Sequence, residues 1–173
     1  NLKKLVAMAL TLATVTAVSP VAASAAWKQD AKGWWNTEGN SWSIGWRQID
    51  GTWYHFDETG YMSTGWVIDY SAGYGQWYFM DQSGAMKTGW MQDAGKWYFL
   101  QPSGAMKTGW INDAGTWYFA EASGSMLTGV IKVDGQTYYL QSNGAMATGE
   151  VEINGTKYTF AANGACVGDA PKA

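Results

Sequence analysis

The chain has 173 residues and a formal net charge of −3, and it is rich in Trp (12 residues) and Gly (22 residues). The slight excess of acidic residues argues against a protein that binds nucleic acid, because such proteins rely on clustered Lys and Arg. A single Cys excludes an internal disulfide, and a hydrophobic content of 47% with so many aromatic rings argues against a disordered chain.

Residues 1–26 have the pattern of a secretory signal peptide. Lys3 and Lys4 precede an apolar run at residues 5–18, and small residues follow at 23–26. The run is shorter than the roughly 20 residues that span a bilayer, so we favour a signal peptide over a membrane anchor. Its removal takes away two lysines and no acidic residue, which leaves a net charge of −5. We therefore expect a secreted protein with no membrane insertion after signal removal.

From Gly45 onward, the sequence repeats at intervals of about 20 residues. A regular unit contains a Gly-Trp pair, an aromatic run seven residues after that Trp, and a later Gly that is followed two residues on by Met or Cys. The Gly-Trp pairs begin at Gly45, Gly65, Gly89 and Gly109. The unit that begins at Gly65 is four residues longer than the regular units, so we locate an insertion around residues 71–75.

Each unit is predicted to form a β-hairpin. Asp50-Gly51, Asp134-Gly135 and Asn154-Gly155 are two-residue turn signals, because these residue types tolerate positive φ. The runs on either side are rich in aromatic residues, which favour strands. A lone hairpin is marginally stable, so we predict an all-β solenoid of stacked β-hairpin repeats of about 20 residues. Since Leu, Ile and Val are sparse, we expect aromatic and Met side chains to fill the core.

The turn fixes which side chains share a face of a hairpin. In the unit of Trp90, a turn at Ala94-Gly95 pairs Trp90 with Phe99 across the two strands. Because side chains alternate along a strand, one face carries Trp90, Gln92, Trp97 and Phe99. The other face carries Met91 and Tyr98. We interpret the middle Tyr of each aromatic run, and each loop Met, as structural.

A pair of tryptophans on one face suggests two kinds of ligand. Two electron-rich ring faces attract a quaternary ammonium through cation–π interaction, without any hydrogen bond. The same rings can instead stack on the apolar face of a sugar, with Gln48 or Gln92 bonding its hydroxyl groups. The residues alone leave both ligands open.

The segment from Gly89 to Trp110, GWMQDAGKWYFLQPSGAMKTGW, has the pattern G-W-x5-G-x-W-Y-F-x4-G-x-M-x-T-G-W. This pattern resembles the choline-binding repeat of bacterial cell-wall-binding proteins, such as the attachment modules of autolysins. The resemblance extends over the chain from about Gly33. It implies a β-hairpin solenoid that attaches non-covalently to choline on teichoic acids or related polymers of the cell wall.

The resemblance also implies where choline binds. In that family a site uses the Trp of the Gly-Trp pair, the first aromatic of the following run and the third aromatic of the next unit's run. Carried over, this gives four sites: Trp46 and Trp53 with Phe79, Trp66 and Trp77 with Phe99, Trp90 and Trp97 with Phe119, and Trp110 and Trp117 with Tyr139. As a secondary expectation, a Met side chain forms the floor of each site. One site should bind choline in the millimolar range, roughly, and several sites on one polymer gain by avidity.

The last two units depart from the pattern. The unit of Gly129 has Val130 and Thr137 in place of the tryptophans, and the unit of Gly149 has Glu150 and Lys157. These units lack the rings of a choline site. We therefore predict that residues 45–128 carry the sites and that residues 129–173 form a C-terminal cap.

Residues 27–44 are predicted to form a degenerate first repeat. This segment contains Trp34, Trp35 and Trp42. A site that combines these tryptophans with His55 is an open alternative, although His55 interrupts its aromatic run.

The chain lacks the residues of an active site. One His and one Cys provide no Cys–His pair, no His-rich metal site and no serine triad. Turn chemistry explains the recurrent Asp residues better than acid–base catalysis does. We therefore predict a protein that is not an enzyme and that uses no cofactor or metal.

Two alternatives to a choline-binding module stay open. One is a glycan-binding repeat of the glucan-binding or toxin type, whose units usually carry K-Y-Y-F; Trp53, Trp97 and Trp117 favour choline instead. The other is the targeting part of a truncated cell-wall hydrolase, and we expect a missing catalytic domain to be C-terminal. The oligomeric state is open.

Overall fold

A computed structural model describes residues 25–172, which contain β-strands and no helix, and hence no helix that is able to span a membrane. The predicted signal peptide lies almost wholly outside the described residues. The strands are β1 (Trp27–Asp30), β2 (Gly33–Glu38), β3 (Ser41–Trp42), β4 (Gly45–Ile49), β5 (Thr52–Phe56), β6 (Gly65–Asp69), β7 (Gln76–Met80), β8 (Gly89–Asp93), β9 (Lys96–Leu100), β10 (Gly109–Asp113), β11 (Thr116–Ala120), β12 (Gly129–Val133), β13 (Gln136–Leu140), β14 (Gly149–Ile153), β15 (Thr156–Phe160) and β16 (Cys166–Val167).

The strands pair as antiparallel hairpins between sequence neighbours. Five sheets have two strands each: β4–β5, β6–β7, β8–β9, β10–β11 and β12–β13. The first and last sheets have three strands each, β1–β2–β3 and β14–β15–β16. The predicted all-β chain of hairpin repeats is confirmed.

The described chain falls into two compact units. The first unit consists of residues 25–67 and 80–86 and contains the hairpins β1–β2 and β4–β5. The second unit consists of residues 68–79 and 87–172 and contains the hairpins from β8–β9 to β14–β15.

The hairpin turns have the predicted geometry. Asp50 and Gly51 have φ of 49° and 81°, and Ala94 and Gly95 have φ of 46° and 78°. Two consecutive residues with positive φ form the turn whose twist matches that of paired strands. In the β6–β7 hairpin, residues 70–75 take the place of this two-residue turn, so the predicted insertion lies in the turn.

The strand register agrees with the sequence prediction. Trp90 pairs with Phe99, Gln92 with Trp97, and Asp93 with Lys96. The faces of the β8–β9 hairpin are therefore those predicted.

Two repeat positions supply most of the buried hydrophobic side chains. One is the last residue of the second strand in the hairpins from β4–β5 to β14–β15, at most 2% exposed: Phe56, Met80, Leu100, Ala120, Leu140 and Phe160. The other is the third residue of the first strand, at most 9% exposed: Val67, Met91, Ile111 and Ile131. The expectation that aromatic and Met side chains fill the core therefore holds only in part. Phe56, Met80, Met91 and Phe160 agree with it, whereas the units of Gly109 and Gly129 bury only aliphatic side chains at these positions. A few aliphatic residues suffice because they recur at the two positions that the strands hide.

Loops tie each hairpin to the one before it. The amide of Met126 donates to the carbonyl of Trp97 (2.8 Å), and the amide of Met146 donates to the carbonyl of Trp117 (2.7 Å). The next loop then lies on that methionine. Gly144 has a φ of 85°, and a Cβ there would collide with Sδ of Met126. This position requires glycine both for its conformation and for its close approach.

Candidate functional site

An aromatic pocket of about 310 Å³ lies in the second unit. Its walls are Trp110, Trp117, Tyr138 and Met146, with Asn163 at its edge. Two hairpins and a loop supply the walls, since the tryptophans lie on β10 and β11, the tyrosine on β13, and the methionine in the loop that follows β13. We call these four walls the Trp110 box.

The rings of this box meet edge to face. The ring centroids of Trp110 and Trp117 are 6.3 Å apart at an interplanar angle of 86°, and those of Trp110 and Tyr138 are 4.8 Å apart at 69°. Rings at such angles leave π-faces available to a ligand, whereas parallel stacking would cover them. Trp117 is 41% exposed, so the box opens to solvent.

The third wall differs from the predicted one. Tyr138 faces Trp110, whereas Tyr139 packs on Phe160 with centroids 6.3 Å apart. The cause is strand alternation: Tyr139 pairs with Val130 on the face where earlier hairpins carry their tryptophans. The middle tyrosine is on the opposite face, and that face meets the preceding hairpin.

The contact between a tryptophan and the middle tyrosine of the next hairpin recurs at Trp90. The ring of Tyr118 lies 4.7 Å from that of Trp90 at 64°, and Trp97 is 44% exposed. Phe119, the predicted third wall, lies 5.1 Å from Trp110 of its own hairpin instead. We call Trp90, Trp97 and Tyr118, with Met126 bonded to the backbone of Trp97, the Trp90 box.

A hydrogen bond joins the Trp90 box to the next hairpin. The indole N–H of Trp90 donates to Oδ2 of Asp113 at 3.0 Å, and both side chains are partly buried. Asp113 is the last residue of β10. Asp113 is one of the recurrent Asp residues that were predicted to serve turn chemistry, so this contact with a tryptophan was not expected.

A pocket of about 480 Å³ in the first unit was not predicted. It is lined by Trp27, Trp34, Tyr54 and Met62, which we call the Trp27 box, and by Gln82 and Ser83. The rings of Trp27 and Tyr54 are 4.9 Å apart at 66°, close to the geometry of the boxes in the second unit. The sequence held one usable signal, because Trp34 follows Trp27 by seven residues, as in the other pairs. Ala26 replaces the glycine that marks the other units.

His55 does not join this pocket. Its ring lies 5.1 Å from that of Trp46, and its Nδ1 is 2.9 Å from Oγ of Ser63. Trp35, at 8% exposure, packs against Tyr61. Tyr54 lines the pocket instead, and the alternative site of His55 with the early tryptophans stays a prediction.

The second tryptophan of each pair has nearly the same exposed fraction in every described hairpin that carries it. These tryptophans are between 40% and 44% exposed: Trp34, Trp53, Trp77, Trp97 and Trp117. Trp46 and Trp66 are half-buried on β4 and β6, while Phe79 and Phe99 are half-buried on β7 and β9, and Phe99 lies 5.0 Å from Trp90 of its own hairpin. The sites predicted for Trp46 with Trp53, and for Trp66 with Trp77, stay predictions.

In the last two hairpins, the tryptophan positions hold Val130 and Thr137, and Glu150 and Lys157. Lys132 pairs with Thr137 across β12–β13. In β14–β15, Nζ of Lys157 lies 2.7 Å from Oε1 of Glu150 on the exposed surface.

Ionisable groups with shifted pKa values lie outside the two pockets. A hydrogen bond to Asp30 raises the pKa of Tyr61, burial raises that of Tyr78, and bonds from Ser125 and Ser123 lower that of Glu121. The hydrogen bond between Arg47 and Glu38 raises the pKa of Arg47 and lowers the pKa of Glu38. Residues 25–172 include no cluster of three or more His, Cys, Asp or Glu side chains suited to a metal ion. The pockets are thus built from rings, methionine and neutral polar groups.

Comparisons with known proteins agree with this architecture. The choline-binding repeat family matches residues 43–89, 87–129 and 127–169. Choline binding protein F from Streptococcus pneumoniae is similar over 82% of this chain and 51% of its own, at 34% identity and a TM-score of 0.74. CbpJ from Streptococcus pneumoniae TIGR4 is similar over 83% of this chain and 48% of its own, at 37% identity and a TM-score of 0.73.

A modular autolysin, LytC from Streptococcus pneumoniae, is also similar in structure. The match covers 83% of this chain and 33% of LytC, at 29% identity and a TM-score of 0.65. The chain thus spans about half the length of the first two proteins and a third of the autolysin. A comparison with curated protein sequences gives no match.

Proposed function

The chain belongs to the choline-binding repeat family, and from that premise we propose that it is a non-catalytic module that attaches to choline-bearing polymers of a bacterial cell wall. The observation that carries the proposal is the Trp110 box, in which two tryptophans, a tyrosine and a methionine surround about 310 Å³ of open space. Each box is an individual candidate site for the trimethylammonium group of choline.

The chemistry of the walls favours a quaternary ammonium. Such a group has no N–H to donate, so it gains little from hydrogen-bonding residues and much from ring faces. In the Trp110 box, rings stand at 69° and 86° to Trp110, so a ligand contacts several π-faces at once. Met146 adds a polarizable apolar wall that suits methyl groups.

Attachment would depend on several weak sites acting together. The Trp27, Trp90 and Trp110 boxes are three candidates, and Trp46 with Trp53 and Trp66 with Trp77 are two more. A single choline is a small ligand, so each site alone binds at about millimolar affinity. A polymer with many choline groups raises the effective concentration at the second and later sites, which increases overall avidity by orders of magnitude.

Location and domain organisation form part of the proposal. Residues 1–26 would direct secretion as a signal peptide, and the mature protein would be held at the wall by binding choline. The hairpins from residue 129 onward would close the array, with the Lys157–Glu150 ion pair on their exposed surface.

Sugar binding is the second candidate function. The Trp27 box carries Gln82 and Ser83 at its edge, and these polar side chains suit the hydroxyl groups of a sugar stacked on the rings. A module of this kind would also serve as the targeting part of a longer wall hydrolase.

The deciding experiment is a pair of titrations monitored by Trp fluorescence. Choline is one ligand, and 3,3-dimethylbutan-1-ol, which has the same shape without the charge, is the control. We expect choline to give a saturable change at millimolar concentration and to elute the protein from a tertiary-amine resin. No response to choline, together with saturable binding of a wall glycan or a glucan, would replace the first function by the second.

A further inference from the structure

The three described boxes differ at one residue that is not itself a wall. In the Trp90 box, the indole N–H of Trp90 donates to Asp113, the last residue of the next hairpin's first strand. The same repeat position holds Val133 next to the Trp110 box and Ile49 next to the Trp27 box. Neither of these side chains has an atom that accepts a hydrogen bond or carries a charge.

The charge of Asp113 is not neutralised by another described residue. Asp113 forms no ion pair within residues 25–172. Its partner across the β10–β11 hairpin is Thr116, whereas Asp93 at the same position of β8 pairs with Lys96. The carboxylate therefore contributes a net negative potential to the partly buried edge of the Trp90 ring.

We infer that Asp113 is a specificity-determining residue, which makes the Trp90 box more selective for cationic ligands than the Trp110 and Trp27 boxes. The inference rests on the proposed function. The carboxylate acts in two ways: it holds the indole in one orientation, and its negative charge attracts a cation on the face of the ring to which it is bonded. The neutral boxes bind mainly through shape and ring contact, so they distinguish less between choline and an uncharged ligand of the same shape.

Asp69 and Asp93 occupy the same position in the sequence of their own hairpins. The array thus contains both a charged and an apolar version of this position. On a polymer that carries both choline groups and uncharged apolar groups, boxes beside an Asp would favour choline, whereas boxes beside an apolar residue would distinguish less between the two groups.

The test uses the full chain with ¹⁵N-labelled indoles, whose Nε1–H resonances report on each tryptophan separately. Choline and 3,3-dimethylbutan-1-ol are titrated, and the ratio of their affinities is taken at Trp90 and at Trp110. In the Asp113→Asn variant the acceptor stays while the charge is lost. We expect its choline affinity at Trp90 to fall by about threefold to tenfold, with little change for the neutral ligand. The Trp110 ratio is the internal control and should not change.

The reverse substitution tests the inference without disturbing the Trp90 box. Val133→Asp should raise the ratio of choline to neutral affinity at Trp110 by a similar factor. An unchanged ratio at Trp90 in Asp113→Asn, while both boxes still bind choline, would overturn the inference. If no indole resonance of the unaltered protein responds to choline, the proposed function itself fails, so the two failures are distinct.

Discussion

Tyr138 and Trp110 belong to consecutive hairpins, yet their ring centroids are only 4.8 Å apart. Tyr139, the next residue, packs on Phe160 instead. The Trp110 box therefore depends on the middle tyrosine of the following hairpin, and the neighbouring tyrosine provides a matched control for every test of that wall.

Loss of the tyrosine wall should weaken binding at one site only. We expect Tyr138→Leu to reduce choline affinity at Trp110 by about fivefold to tenfold, because one cation–π contact is lost. Tyr138→Phe keeps the ring and should stay within about twofold of the unaltered protein. The measurement is the choline titration of the Trp110 indole resonance.

The control for this prediction is Tyr139→Leu. It removes the contact with Phe160 and should lower the unfolding midpoint while choline affinity at Trp110 is kept. If Tyr139→Leu weakens choline binding more than Tyr138→Leu does, the third wall has been assigned to the wrong residue.

The Trp27 box should contribute a binding site of its own. We expect Trp34→Leu to remove one equivalent of bound choline at saturation, and Trp117→Leu to do the same at the Trp110 box, because each loses its exposed ring wall. Stoichiometry from equilibrium dialysis checks this. An unchanged stoichiometry in Trp34→Leu alone would mean that the first hairpin is only structural, as expected for a degenerate repeat.

Substitution by alanine should destabilise the protein more at a loop glycine than at a turn glycine. Gly144→Ala introduces a Cβ at a φ of 85° and against Sδ of Met126, so we expect a loss of about 2–4 kcal/mol in the free energy of unfolding. Gly135→Ala has a similar φ of 79° but meets no atom within 4 Å, and should lose only about 1 kcal/mol. Urea unfolding compares the two. Equal losses would show that the contact with methionine is not tight.

Glu121 should make stability depend on pH in the acid range. Hydrogen bonds from Ser125 and Ser123 lower its pKa below the ordinary value of 4.5. A lowered folded-state pKa stabilises the fold above the ordinary value, and this contribution is lost as the pH falls through the folded-state pKa. We expect Ser125→Ala to destabilise the protein at pH 7 and to have a smaller effect at pH 2. A loss of the same size at both pH values would contradict this role. Thermal unfolding at the two pH values provides the measurement.

Local rules predicted the hairpins well. The turn at Ala94-Gly95 and the alternation of side chains were sufficient to give the pairing of Trp90 with Phe99. The same alternation puts Tyr98 on the opposite face. In the next hairpin, the same alternation separates the middle tyrosine from the third aromatic residue, and the middle tyrosine is the one that faces the preceding tryptophan. Phe119 and Tyr139 were predicted as third walls from the family pattern, whereas the rings in contact with Trp90 and Trp110 from the next hairpin are those of Tyr118 and Tyr138.

Other features depend on how hairpins pack, which strand alternation does not fix. The bond from Trp90 to Asp113 requires a particular rotation of one hairpin on the next, so a recurrent Asp at a turn gives no sign of it. The Trp27 box was missed for a simpler reason. Ala26 stands where other units have glycine, and the seven-residue spacing to Trp34 was the remaining signal.

The hairpin β12–β13 lacks both tryptophans, yet it supplies Tyr138, and its loop supplies Met146, to the Trp110 box. A ligand bound in that box would contact two hairpins at once, so its binding energy would also stabilise their packing. Bound choline would then stabilise the contact between consecutive hairpins reversibly. Truncation of the chain before Gly129 would remove a site although no tryptophan is lost. The repeat that follows the last tryptophan pair is therefore required for the Trp110 box although it carries no tryptophan.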